Sequence, residues 1–279
     1  MREIDVKEIT NSVKEALIKA CEVIPSNVKE ALEKALSEET DELSKKVLST
    51  IILNDELALT NHLPICQDTG IVVCFVEIGY DVHLNGDLYE AINEGVRAAY
   101  TEGYLRKSVV KDPLNRINTH DNTPAIIHVE FVKGDKITIR LAPKGAGSEN
   151  MSFVKMLTPA YKEEDIIEEV VKAIKEAGGK PCPPLVVGIG IGGDLEKAAL
   201  LAKRAIFREL DDTNENEYYN SLEQKLKTKI NETLIGPMGY GGKTTCLAVK
   251  INYYPCHIAS LPLAVNIQCH AARHKTIII

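Results

Sequence analysis

The sequence has no tryptophan, only four phenylalanines and no excess of positive charge among its 279 residues. No apolar run approaches the roughly 18 residues that a membrane span requires, which argues against an integral membrane protein. The formal net charge is −7, and the basic residues are scattered instead of forming a stripe, so we expect no nucleic-acid binding. The N-terminal segment carries acidic residues from Glu3 and has no apolar signal region, which indicates a cytoplasmic protein.

The seven cysteines include no CxxC pair and follow no regular spacing. A chain of this length needs no disulfide framework, so free thiols in a reducing cytoplasm are expected. Three lie in apolar segments and are predicted to be buried: Cys21, Cys74 and Cys246. Three others stand among polar residues or prolines, in ICQDTG, KPCPP and NIQCHAARH: Cys66, Cys182 and Cys269. If these three converge, they form a three-thiolate site with one open position, which suits a metal or an iron-sulfur cluster that acts as a Lewis acid.

The apolar pattern predicts an α/β protein with a helical N-terminal segment followed by a mixed β-sheet with flanking helices. We expect one domain over 1–279, helical over about 1–60 and α/β over about 61–279. The run IVVCFVEIG at 71–79 is typical of a buried strand. Segments 125–132 and 136–143 are predicted to form a hairpin around Gly134 and Asp135. Residues 106–123 form a long loop without periodicity, and loops of that length are usually functional.

Two glycine-rich motifs offer nucleotide or phosphate sites as alternatives. GIGIGG at 188–193 satisfies the dinucleotide fingerprint, but the segment 209–219 is polar where a second apolar strand is required. PMGYGGKT at 237–244 ends like a phosphate loop, but a proline replaces its first glycine and a strand-like segment follows. We favour a tight strand-to-helix turn for the first and a flexible loop for the second.

The C-terminal segment concentrates potential zinc ligands within nineteen residues: Cys256, His257, Cys269, His270 and His274. Their spacing fits no standard zinc finger, and the apolar stretch LPLAV separates them. An interior strand with incidental thiols is the alternative. A non-catalytic zinc- or nucleotide-binding protein therefore stays open as a function of a different class.

Five separated motifs, in order, resemble the α part of the class I fumarase and L(+)-tartrate dehydratase family. They are CQDTG, YLRKSVVKDPLNRINTHDNTPA, GAGSEN, CPP followed by VGIGIGG, and PCHIASLP with QCHAARH. The resemblance runs from about residue 60 to the end. It implies an oxygen-sensitive hydro-lyase with a [4Fe-4S] cluster on Cys66, Cys182 and Cys269, which leaves Cys256 as a bystander.

The same resemblance implies roles for residues around a bound C4 dicarboxylate. Gln67, Arg106 and Gly147 match substrate-binding positions, and Asp68 and His257 match positions beside the bound acid that we interpret as catalytic. These residue types suit the chemistry, because an arginine grips a carboxylate with two parallel hydrogen bonds and a carboxylate or imidazole orients a hydroxyl or moves its proton. The expected reaction is the reversible hydration of fumarate to malate, with tartrate dehydration to oxaloacetate as the alternative.

Family members on a single chain continue into a second domain, whereas this sequence ends at HKTIII. The resemblance therefore implies a separate β subunit that completes the active site and an α–α dimer within a heterotetramer. The apolar tail 277–279 would be a poor terminus to leave in water, which favours contact with a partner or another copy.

Overall fold

The N-terminal segment is helical, as the apolar period predicts. In the computed structural model, which describes residues 1–279, its three helices are α1 (Val6–Glu22), α2 (Ser26–Glu38) and α3 (Glu42–Asn61). The Asp5 side chain accepts a hydrogen bond from the amide of Lys7 and so satisfies one of the free donors at the start of α1. Ile9, Val13 and Leu17 of this helix are fully buried, so its period of apolar residues reflects packing against a core.

The chain forms two compact units, each with its own hydrophobic core. Unit 1 comprises Met1–Ile24, Asp55–Ala146 and Arg273–Ile279, and unit 2 comprises Pro25–Asn54 and Gly147–Ala272. The α/β fold class is confirmed. That both units serve one functional iron-sulfur domain stays a prediction.

Unit 1 is built on a four-stranded mixed sheet with the order β10-β5-β2-β4. Its elements are the short strand pair β1 (Arg2–Ile4) and β3 (Val82–Leu84), the helix α4 (Leu88–Glu102), and the sheet strands β2 (Ile71–Gly79), β4 (Ile126–Val132), β5 (Ile137–Lys144) and β10 (Lys275–Ile278). The predicted hairpin is wrong, because β2 lies between its two strands, parallel to β4 and antiparallel to β5. The continuous apolar run of β2 is typical of a central strand, whose main chain is hydrogen-bonded to a neighbour on each side.

The strand directions of unit 1 bring four chain segments to one edge of its sheet. Ile71 at the start of β2 pairs with Lys144 at the end of β5, and β4 begins beside Val73. Lys275, the first residue of β10, pairs with Leu141 near the end of β5. The segments that precede β2, β4 and β10 and the segment that follows β5 therefore meet at this edge, which we call the site edge of unit 1.

Unit 2 is built on a second four-stranded mixed sheet with the order β6-β9-β7-β8. Its elements are α5 (Ala146–Glu149), which begins at the boundary, β6 (Phe153–Leu157), α6 (Glu163–Ala177), β7 (Leu185–Gly192), α7 (Leu195–Ala205), α8 (Glu217–Asn231), β8 (Cys246–Tyr254) and β9 (Leu261–Gln268). The glycine-containing run of β7 is buried along its whole length, because strands flank it on both sides and α7 covers one face.

Antiparallel pairing also gives unit 2 one edge that carries several motifs. The start of β7 pairs with the end of β9, and the start of β6 lies beside Val265 near that same end. The segments 147–152, 182–184 and 269–272 and the loop before β8 therefore meet at the site edge of unit 2. The loop between β8 and β9, which contains Cys256 and His257, lies at the opposite edge.

The apolar C-terminal tail packs within unit 1. Ile277 and Ile279 contact the core of this unit, and the main chain of Ile279 exchanges two hydrogen bonds with Ile137. Only Ile278 is largely exposed. The strand β10 thus gives the tail a covered position without the partner that the sequence suggested. No helix in the structure has the length and apolar character needed to cross a membrane.

Candidate active site

The loop 66–70, which is the CQDTG motif, is fixed at the site edge of unit 1 in two ways. The Asp68 side chain accepts hydrogen bonds, and the main chain of Gly70 lies close to that of Lys144. The carboxylate of Asp68 accepts hydrogen bonds from the amides of Gly70 at 3.0 Å and Ala146 at 2.8 Å. Gly70 has a φ of +71°, and a Cβ there would overlap the main chain of Lys144. Only glycine therefore permits this approach, and Asp68 ties the loop to the start of the GAGSEN segment.

Arg106 is joined to the same loop through its main-chain carbonyl oxygen. The hydroxyl of Thr69 donates to the carbonyl oxygen of Arg106 at 3.1 Å. The Arg106 side chain is exposed and makes no hydrogen bond or ion pair within the chain. An unpaired guanidinium beside a polar loop is available to bind an anion, and its planar fork suits a carboxylate. The structure thus brings Cys66, Gln67, Asp68 and Arg106 into one region of unit 1.

Two buried side chains that sequence reasoning missed hold this region together. Asn122 is fully buried, accepts hydrogen bonds from the amides of Ser108 and Val109, and donates to the carbonyl oxygen of Gly70 at 3.1 Å. The hydroxyl of Tyr100 lies 2.5 Å from the carbonyl oxygen of Thr69. The signal for Asn122 was its place in the polar segment THDNT, whereas nothing in the sequence distinguishes Tyr100 from an ordinary core residue of α4.

Cys182 and Cys269 meet at the site edge of unit 2. The amide of His270, the residue after Cys269, donates to the carbonyl oxygen of Cys182 at 3.2 Å. Cys182 has a φ of +56°, an uncommon conformation for a residue with a side chain and one that recurs at functional sites. The side-chain nitrogen Nε2 of Gln268 also lies 3.7 Å from the sulfur of Cys269, so a donor faces that thiol.

The GAGSEN segment is anchored in unit 2 by a charged pair. Lys203 on α7 donates to both carboxylate oxygens of Glu149, at 2.5 and 2.6 Å, and Asn266 on β9 donates to the same carboxylate at 2.9 Å. Burial lowers the pKa of Lys203, and the Glu149 carboxylate opposes that shift. Gly147 lies two residues before this anchor, and a Cβ at Gly147 would make only an ordinary contact with Lys180.

His257 is not close to the two cysteines of unit 2. It precedes β9, whereas Cys269 follows it, so the eight residues of this strand separate them by roughly 25 Å. The exposed imidazole accepts a hydrogen bond at Nδ1 from the amide of Ala259 at 3.1 Å, which leaves Nε2 as the protonated nitrogen of the neutral ring. Its role at a substrate stays a prediction.

The seven thiols are all free and separate into groups by their surroundings. Cys21, Cys74 and Cys246 are fully buried, and burial raises their thiol pKa values to about 11, 12 and 12. Their burial confirms the prediction that they are core residues. Thiols with such raised pKa values do not form thiolates at neutral pH. Cys256 is exposed at the opposite edge of unit 2.

The remaining three are Cys66, Cys182 and Cys269, each partly exposed in a loop at a site edge. Partly exposed thiols are accessible to a metal, and cysteine thiolates are the usual ligands of iron-sulfur clusters, so the chemistry of each of these three donors suits a cluster ligand.

The alternative motifs have packing explanations. A Cβ at Gly188 or Gly190 would overlap main-chain atoms of α7, so these glycines allow close contact between strand and helix. In the GYGGKT loop, the amide of Lys243 donates to the Glu39 carboxylate and its ammonium to the carbonyl oxygen of Glu38.

The proposed zinc ligands are divided between the two edges of unit 2 and the start of β10. The described chain contains no group of three or more His, Cys, Asp or Glu side chains arranged to hold a metal ion by themselves. Neither the zinc alternative nor a cluster on three cysteines gains support from the positions of these side chains, so the cluster stays a prediction.

Comparison with known proteins gives a consistent result. A family model described as fumarate hydratase (Fumerase) matches residues 10–278. A protein of Methanocaldococcus jannaschii named "Putative L(+)-tartrate dehydratase subunit alpha" is 43% identical over 273 residues, which cover 95% of each chain. The L(+)-tartrate dehydratase subunit alpha of Escherichia coli O157:H7 is 29% identical over 260 residues, which cover 92% of this chain and 86% of that protein. The chain therefore belongs to the fumarate hydratase family of hydro-lyases.

Proposed function

We propose that this chain is the catalytic α subunit of an iron-sulfur hydro-lyase that converts fumarate to malate reversibly and requires a β subunit. One observation carries the proposal: the loop with Cys66 and Asp68 lies at the same sheet edge of unit 1 as Arg106, whose guanidinium has no partner in the chain. A cluster ligand, a fixed carboxylate and a free cation together suit the binding of an anionic hydroxy acid.

The proposed cofactor is a [4Fe-4S] cluster held by Cys66, Cys182 and Cys269. When bound, it supplies a Lewis acid at the iron that lacks a cysteine ligand. The proposal is supported by the partial exposure of these three thiols and by the unsuitability of the buried ones. The absence of disulfides is in keeping with a reducing cytoplasm, which we propose as its location.

The proposed substrate contacts have separate tasks in the reaction. Arg106 binds a carboxylate of the C4 acid through two parallel hydrogen bonds and fixes its orientation. The exposed amide of Gln67 and the main chain of Gly147 are further contacts for the bound acid. Asp68, held at both carboxylate oxygens by amides, orients the C2 hydroxyl. It also relays the proton that this oxygen gains when it leaves as water and that water gives up on addition. We propose that the group that removes the C3 proton belongs to the β subunit.

Dehydration of L(+)-tartrate is a second candidate, because the two relatives described above carry that name, the Methanocaldococcus jannaschii protein as putative. The L(+)-tartrate dehydratase subunit alpha of Escherichia coli K12, 28% identical over 260 residues, carries it as well. Tartrate differs from malate by one hydroxyl group, and the exposed side chains of Gln67 and Arg106 present no apolar wall that would reject it.

The test is an anaerobic assay of the chain alone and co-expressed with its β partner. The substrates are fumarate, malate and both tartrate enantiomers. We expect hydration of fumarate only from the co-expressed pair. We expect the molar mass of that pair to be that of a heterotetramer that contains an α–α dimer. Dehydration of L(+)-tartrate with little fumarate turnover would favour the second candidate. Full activity of the α chain alone would contradict the need for a β subunit, and a pair with bound zinc and no turnover would reject the hydro-lyase proposal.

A further inference from the structure

Arg273 is a buried arginine that carries an unpartnered nitrogen. Its side chain is only 4% exposed in unit 1. Nη2 donates to the carbonyl oxygen of Asp68 at 2.5 Å, and Nε lies 3.5 Å from the carbonyl oxygen of Pro143. The third nitrogen, Nη1, is buried and has no hydrogen-bond partner. No carboxylate forms an ion pair with this guanidinium.

A buried guanidinium without a counter-charge is unfavourable, because a charge removed from water requires pairing and full hydrogen bonding. The neighbouring thiol and phenol groups do not supply that counter-charge. Burial raises the pKa values of the Cys21 thiol and the Tyr100 hydroxyl, and although Arg273 opposes both shifts, both groups stay neutral at pH 7. Arg273 contacts the main-chain carbonyl of Asp68 and forms no ion pair with its carboxylate, which is held instead by two amides.

The anion that remains for Arg273 is one that the loop 66–70 itself holds. Arg273 lies in the segment before β10, which reaches the site edge of unit 1 beside β5, and it donates to the residue two positions after Cys66. A cluster bound through three thiolates carries excess negative charge at its cysteine sulfurs. A fixed cation behind the loop would balance this charge without contact with substrate.

We propose that Arg273 is a positioning residue that holds the loop 66–70 through the Asp68 carbonyl and supplies the buried positive charge for the cluster ligand Cys66. This inference rests on the proposed cluster and adds to it a residue outside the set of ligands and substrate contacts. The two tasks are separable. The hydrogen bond to Asp68 fixes the loop, and the charge sets the electrostatic potential at the cluster, which in turn affects its reduction potential.

The experiment uses the full chain, reconstituted anaerobically with iron and sulfide, as wild type, Arg273→Gln and Arg273→Lys. Arg116→Gln is the matched control, because Arg116 is an exposed arginine of the loop 106–123. The measurements are iron per chain, the midpoint potential of the cluster by redox titration, and the rate of iron release to a chelator. Thermal unfolding of the apoprotein controls for folding.

Glutamine keeps an amide donor but no charge, so Arg273→Gln should shift the midpoint potential to a more negative value. Lysine keeps the charge but cannot reproduce both guanidinium contacts, so Arg273→Lys should keep the wild-type potential and release iron about tenfold faster. The control variant should match wild type in midpoint potential and in the rate of iron release. A wild-type midpoint potential in Arg273→Gln overturns the charge assignment. A wild-type rate of iron release in Arg273→Lys overturns the positioning role, and this second test holds even if the glutamine variant does not fold. Failure of the wild-type chain to take up a cluster would instead reject the proposed function.

Discussion

The main-chain amide of His270 donates a hydrogen bond to the carbonyl oxygen of Cys182 at 3.2 Å. This contact joins the segment before β7 to the segment after β9, so two cysteines that are far apart in sequence lie at one edge of unit 2. The pairing follows from the antiparallel register of β7 and β9, in which Val186 pairs with Gln268.

The three proposed ligands are expected to be individually necessary for the cluster. Serine at position 66, 182 or 269 removes one thiolate, so iron and sulfide per chain and the visible absorption of the reconstituted protein should fall strongly. Cys256→Ser is the control, because Cys256 is exposed at the opposite edge of unit 2 and should not alter iron content. Equal cluster content in all four variants would contradict the assignment.

Arg106 is expected to contribute mainly to substrate binding. Arg106→Ala removes a charged pair of hydrogen bonds to the substrate carboxylate, worth about 1.5–3 kcal/mol, so kcat/KM should fall roughly 10- to 150-fold. Arg106→Lys should recover only part of this loss, since an ammonium does not reproduce the planar fork. Arg116→Ala in the same loop serves as the control in steady-state kinetics. An unchanged KM in Arg106→Ala would be evidence against the assignment.

Asn122 is expected to hold the loop 106–123 against the loop 66–70. Asn122→Ala leaves the amides of Ser108 and Val109 and the carbonyl of Gly70 without their partner, at a cost of about 2–4 kcal/mol in the free energy of unfolding. Its φ of +64° adds strain for alanine. Urea unfolding measures the loss, and Asn115→Ala, on an exposed part of the same loop, should lie within about 0.5 kcal/mol of wild type.

Two glycines are expected to respond differently to alanine. At Gly190 a Cβ would overlap the carbonyl oxygen of Ala198 in α7, so Gly190→Ala should lower the melting temperature markedly. At Gly147 the space is adequate and φ is not positive, so Gly147→Ala should keep the wild-type melting temperature and raise KM if this backbone contacts substrate. A stable Gly190→Ala variant would reopen a ligand-binding explanation for GIGIGG.

Acid is expected to weaken unit 1 through Asp121. Burial opposes ionisation of this carboxyl, but hydrogen bonds from Thr123 and Arg97 outweigh it and lower its pKa to about 2. Because the native pKa lies below the unfolded value of about 3.9, the stabilisation is complete above that value and is lost as pH falls through about 2.

After allowance for solvent screening we expect a contribution of about 1 kcal/mol. Asp121→Asn should therefore narrow the difference between urea midpoints at neutral pH and at about pH 3. Asp135→Asn, in an exposed turn, should keep the wild-type difference. An unchanged difference in Asp121→Asn would show that this carboxyl does not carry the acid sensitivity.

Much of the local structure follows from the sequence because short-range periodicity encodes it. The helical opening and the strand at 71–79 were predicted correctly from apolar spacing. The hairpin was not, since two adjacent apolar segments joined by a glycine look alike whether they pair with each other or with a third strand. In the folded chain both segments pair with the central strand β2, one on each side, and so do not pair with each other.

By itself, the sequence determined which cysteines belong to the core and which stand in polar loops, because thiol burial follows from the apolar character of neighbouring residues. It also carried the five motifs that identify the family. The tertiary structure alone decided that Thr69 and Asn122 join the loops of Cys66 and Arg106, that Arg273 is buried behind Asp68, and that His257 lies at the opposite edge of unit 2 from Cys269. These relationships depend on strand order and direction, which are set by long-range packing and leave no periodic trace in the chain.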